Sequence, residues 1–170
     1  MKKHSGMRPH DVVVLLKIAT KQGTDWFMKD LAYELGISAS EISESINRSI
    51  IAGLIFEDKK RLMKSALLDF LRYGLPHVYP QKPGSLVRGL PTAHSAAPLN
   101  KLIQGEEPYV WPYSEGSVRG QAIEPLHVNV PKACLKDQVF YEYMVLCDAI
   151  RVGKVREKNI ALEELEKRLS

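Results

Sequence analysis

Cysteine is scarce in this chain, and proline is almost absent from both of its ends. The two cysteines, Cys134 and Cys147, sit close to an expected helix and far from any other ligand pair, so neither a disulfide framework nor a zinc site is suggested. Buried thiols in a reducing compartment are the reading that remains. No apolar run approaches the roughly 20 residues that would span a bilayer. The basic start "MKKHSGMRPH" is followed by "DVVVLLKIATKQG", which Lys17 and Lys21 interrupt, so no secretory h-region with a small-residue cleavage site is expected. These absences point to a cytoplasmic protein without a membrane partner.

The usual marks of catalysis are missing as well. There is no phosphate loop, neither Ser85 nor Ser95 lies in a nucleophile elbow, and "GSVRG" reads as a turn. His77, His94 and His127 have no cysteine or carboxylate three or four residues further on, so they match no metal motif. No enzyme activity, metal or cofactor is expected.

What is present is a soluble, globular composition, 45% hydrophobic and 26% charged over 170 residues. That length suffices for one sizeable core, or for one small domain with an extension. The net charge of +4 is mildly favourable to a polyanionic partner. Residues 1–74 hold 12 basic and 9 acidic side chains, residues 75–136 hold 6 and 4, and residues 137–170 hold 6 and 7. Phosphate contacts are therefore expected from the first two segments.

Nine of the ten prolines fall between Pro76 and Pro131, which divides the chain into helical, irregular and helical parts. In the first part, Pro9 suits a first helical turn and Gly23 a left-handed stop, predicting a helix over 9–22. A second helix is expected from Phe27 to Leu35, ending at Gly36. Ser38, with Glu41 three residues on, forms a capping-box signature for a third helix running to Ala52. "LIFEDKKRLM" reads as two short strands joined by a charged turn, and "SALLDFLRYG" as a helix capped by Ser65 and stopped by Gly74. In the middle, short strands are expected at "HVYP", "YVWPY" and "LHVNV". The last part predicts two helices hinged near Gly153.

At 100° per residue, Ile42, Ile46, Ser49, Ile50 and Gly53 fall on one side of the third helix and Ser40, Glu44, Asn47, Arg48 and Ile51 on the other. Leu31, Ala32 and Leu35 would complete a small core with the first group, and the small Ala32 lets the helices cross closely. The run "DLAYELGISASEISESINRSIIAGLI" thus resembles the winged helix-turn-helix of bacterial transcription regulators, including the MarR-like group, in which an LA, LG, S-x-S and GL pattern recurs. The resemblance covers about residues 9–64. It implies major-groove reading by helix 39–52, with Ser38, Ser40, Ser43, Glu44, Asn47 and Arg48 as interface residues, and phosphate or minor-groove contact by Lys59, Lys60 and Arg61 of a wing at 57–61. The chemistry of these residues agrees: serines at a helix N-terminus suit phosphate, Asn47 adenine, Arg48 guanine or phosphate, and Glu44 cytosine N4. Glu41 is assigned to the cap.

Lys82 and Arg88, in the extended stretch Tyr79 to Leu99, are expected as additional phosphate contacts; the same stretch also suits an arm around a partner protein. The fold class expected is α+β, mainly α. It comprises a winged helix-turn-helix domain with a following helix (1–74), a Pro-rich irregular module with short strands (75–136), and C-terminal helices for dimer or partner contact (137–170). The expected function is a DNA-binding transcriptional regulator, a homodimer on double-stranded DNA. The alternative is a non-catalytic interaction protein, antitoxin-like or adaptor, using residues 75–170 to hold a partner.

Overall fold

A computed structural model describes residues 3–105 and 107–170. It is an α+β structure, about 52% helical, with one small three-stranded sheet. Helix α1 (Pro9–Ala19) is buried on nearly every side, so helices α2 (Met28–Leu35) and α3 (Ala39–Ile51) and the later helices assemble around it. Its start is fixed by Pro9 in the first turn and by the Asp11 carboxylate, which accepts from the Arg8 backbone N–H at 2.8 Å. The helix ends at Ala19, one turn short of the expected 22, because the turn at Lys21 to Gly23 already reverses the chain there.

α2 is amphipathic, with Leu31 and Leu35 inside, and ends at Gly36 with φ 65°, a left-handed conformation that glycine adopts without strain. Two residues later the Ser38 hydroxyl accepts from the Glu41 backbone N–H at 3.2 Å and starts α3. The reciprocal half of the expected capping box is not made, because the Glu41 side chain turns instead to His10 and Arg48. The expected strand pair after α3 is a minimal hairpin over 54–63: one bridge, Ile55 to Leu62, flanked by backbone bonds Phe56 to Arg61 and Met63 to Leu54. α4 (Lys64–Tyr73) buries Leu67 and Leu71; its N-cap is Met63, not Ser65, and Gly74 ends it as expected.

The middle of the chain departs furthest from expectation. "HVYP" is not a strand: His77 and Val78 belong to the short helix α5 (Leu75–Val78). "LHVNV" leads through a turn into α6 (Val130–Cys134), where Pro131 occupies the first helical turn. Of the strands expected in this segment only "YVWPY" is one, as β2 (Tyr109–Pro112), and two more form: β1 (Leu86–Pro91) in the stretch read as an extended arm, and β3 (Val118–Ala122) where "GSVRG" was read as a turn. β1 pairs antiparallel with both others, and β2 pairs parallel with β3, so the three strands close on themselves. Closure this tight needs a bare backbone at Gly89, where a Cβ would stand 2.0 Å from the Trp111 carbonyl oxygen.

α7 (Gln138–Val152) and α8 (Val155–Leu169) meet at Gly153, as the sequence predicts. α7 packs against α1, α4, α5, α6 and α8. It also carries the hub that orders the middle segment. The fully buried Asp148 carboxylate accepts from the Thr92 hydroxyl at 2.7 Å, the Trp111 indole N–H at 2.5 Å and the Arg151 guanidinium at 2.9 Å. Arg151 in turn donates to the Tyr79 and Glu124 carbonyls, and the Tyr141 hydroxyl to that of Pro91. Loops with few regular hydrogen bonds of their own are thereby satisfied by one helix face. Burial pushes the Asp148 carboxyl above its ordinary range, opposed by Arg151 and the Thr92 and Trp111 donors.

Candidate nucleic-acid interface

The two sides of α3 have been given opposite tasks. Ile42, Ser45, Ile46, Arg48 and Ser49 are buried against the rest of the protein. At 100° per residue these positions span about 160°, a wider arc than the apolar residues alone define. The remaining face is open: Ser38, Ser40, Glu44 and Ile51 are exposed, and Ser43 and Asn47 are half-buried beside them.

Arg48 is therefore a correction to the sequence reading. It is only 5% exposed. Its Nε and Nη2 clamp the two oxygens of the fully buried Asp11 at 2.9 and 2.8 Å, and Nη2 also reaches the Glu41 carboxylate at 2.8 Å. His10 completes the group, with Nε2 at 2.8 Å from Glu41. The hydrogen bond to Asp11 chiefly holds the guanidinium charged, against burial, while the bond from Arg48 lowers the Glu41 pKa with help from His10. A guanidinium buried in this way and committed to two carboxylates faces the interior, not a base edge. Arg48 is a strut between α1 and α3.

The hairpin's cations also differ from one another. Lys60 lays its ammonium over the Trp26 ring at 4.2 Å, near the Phe27 ring, and donates to the Trp26 carbonyl. Arg61 pairs with Asp58 at 2.6 Å and lies over Phe56. That bond and the Arg61 and Lys60 backbone N–H groups hold the Asp58 carboxyl down at about 2. Lys59 stands exposed at the tip with φ 62°, and among the described residues it alone of the three has no such internal engagement.

Lys82 and Arg88 are exposed but belong to the sheet module: Lys82 precedes β1, and Arg88 on β1 faces Arg119 on β3. The sequence reading missed Asp11 and His10. Their signal was a single acid at the head of the otherwise apolar run "DVVVLL", since a charge folded in with such a run requires a partner. It also missed Lys132 and Lys136, which line a groove of about 140 Å³ with Tyr33, Gly36 and Asn129 beside the α2–α3 turn.

Elsewhere chemistry is sparse. Both cysteines are buried free thiols whose pKa values burial raises, and among the described residues no group of three His, Cys, Asp or Glu is placed to hold a metal ion. No helix among them is long and apolar enough to cross a membrane. No protein-family model matches the chain, and no curated protein or solved structure is similar enough to count as a match.

Proposed function

We propose that the protein is a winged-helix transcriptional regulator that binds double-stranded DNA, with the open face of α3 in the major groove and the hairpin tip on the backbone. The observation that carries this reading is the division of α3: an inner side bolted to α1 through Arg48 and Asp11, and an outer row of short polar side chains, Ser40, Ser43 and Asn47, with an exposed lysine at the tip of the hairpin that follows. Asn47 pairs with adenine, the serines meet phosphate near the helix start, and Lys59 contacts the backbone. A homodimer would set two α3 helices on half-sites about 34 Å apart.

The test is binding to the DNA upstream of the protein's own gene across a salt series. Asn47→Ala should lose about 1–3 kcal/mol of discrimination against a shuffled duplex. Lys59→Ala should weaken both duplexes about equally and flatten the salt dependence by about one unit of slope. Salt-independent or absent binding by the wild type defeats the reading. One observation favours a protein partner instead: Ile51 and Phe56, 47% and 39% exposed, give this surface an apolar component. On that alternative, Ile51→Ser would abolish partner capture and no variant of the α3 face would affect DNA.

A further inference from the structure

α3 now lacks the one arginine that its sequence offered, and the hairpin leaves little cationic charge unengaged. We infer that the groove between α2 and α6 is a second DNA-backbone contact, in which Lys132, Lys136 and the Tyr33 hydroxyl hold a phosphodiester of the same duplex that α3 reads. The inference rests on the DNA-binding reading and adds a surface to it.

Three observations support the assignment. The first is position. The Asn129 side-chain amide donates to the Gly36 carbonyl at 2.8 Å, which ties the start of α6 to the turn two residues before the Ser38 cap of α3. A group bound between Tyr33 and Lys136 is thus held in fixed register with the reading helix. The second is charge. Glu34, the acid that lines this groove, is already matched by Lys21 at 2.7 Å, and Asp137, next to Lys136 in the sequence, by Lys17 at 2.6 Å. Lys132 and Lys136 are exposed and make no ion pair among the described residues. Lys132 on α6 and Lys136 just beyond its end line the same groove, so two like charges border one space, which favours an anion there. The third is the rim. Tyr33 is 86% exposed on α2 and lines the groove, where its ring gains nothing from the core and its hydroxyl can donate a hydrogen bond.

The experiment measures affinity for a 30-bp duplex of random sequence between about 50 and 200 mM salt. The proteins compared are the full-length wild type, Lys132→Ala/Lys136→Ala, and Lys101→Ala as a lysine outside the groove. The double variant should bind about ten- to a hundredfold more weakly at the lower salt, with a slope shallower by about one to two units. Lys101→Ala should match the wild type. Both groove lysines are exposed, so unchanged thermal melting is expected and separates lost contact from lost fold. A double variant with the wild-type slope overturns the inference, and leaves an acidic protein surface as the groove's partner. A wild type without salt-dependent binding defeats the DNA reading itself, a result visible before any variant is compared.

Discussion

Asp11–Arg48 joins residues 37 apart in the sequence, whereas Asp148–Arg151 closes within one turn of α7. Both carboxylates are buried and both bind an arginine, yet they organise different things. The long-range pair bridges two helices and braces α3 against α1 on the side that Ile42 and Ile46 already bury. The local pair fixes no helix orientation; its spare donors and acceptors gather Tyr79, Thr92, Trp111 and Glu124 onto one face. The same chemistry serves as a strut in one region and as a hub in the other, according to how many separate chain segments converge on it.

The comparison can be broken most forcefully at the hub. Asp148→Ala leaves Arg151 buried without its carboxylate and frees Thr92 and Trp111, so a loss of about 4–5 kcal/mol is expected in urea unfolding. Arg48→Ala leaves Asp11 buried without its guanidinium but disturbs fewer segments, and about 3 kcal/mol is expected. Equal losses, or a larger one at Arg48, would remove the distinction. Ser38→Ala, which deletes the α3 cap, should cost about 1 kcal/mol.

The smallest effect is a pH dependence. The Glu41 pKa is lowered in the folded protein, chiefly by Arg48. Its stabilisation is therefore present above the unfolded value and lost as pH falls through the lower folded one. The stability difference between wild type and Glu41→Gln should shrink steadily as the pH falls below about 5. A difference that grows on acidification would mean that Glu41 is not held by Arg48.

The two regions also differ in how far the sequence revealed them. The segment from Pro9 to Gly74 declares itself locally: Pro9, Gly36, Ser38 and Gly74 mark helix ends, and spaced leucines and isoleucines mark buried faces. Arg48 was misplaced because the width of the buried arc depends on where α1 crosses α3, which no periodicity within α3 contains. The middle segment offers almost no local signal. β1 reads Leu-Val-Arg-Gly-Leu-Pro, a poor strand by composition, and it forms because its partners and the Asp148 hub lie elsewhere in the chain. α6 is five residues long and too short to show a period. The lysines of the proposed groove were invisible as a pair with Tyr33 because a tie across 93 residues, Asn129 to Gly36, brings them together.

The most direct test of the account sets neighbouring positions of α3 against each other. Preference for the DNA upstream of the protein's own gene over a shuffled duplex is measured for wild type, Asn47→Ala and Arg48→Met, at a temperature where circular dichroism shows all three folded. Loss of preference in Asn47→Ala, with preference kept in Arg48→Met, is the predicted result. Preference kept by Asn47→Ala and lost by Arg48→Met would contradict it.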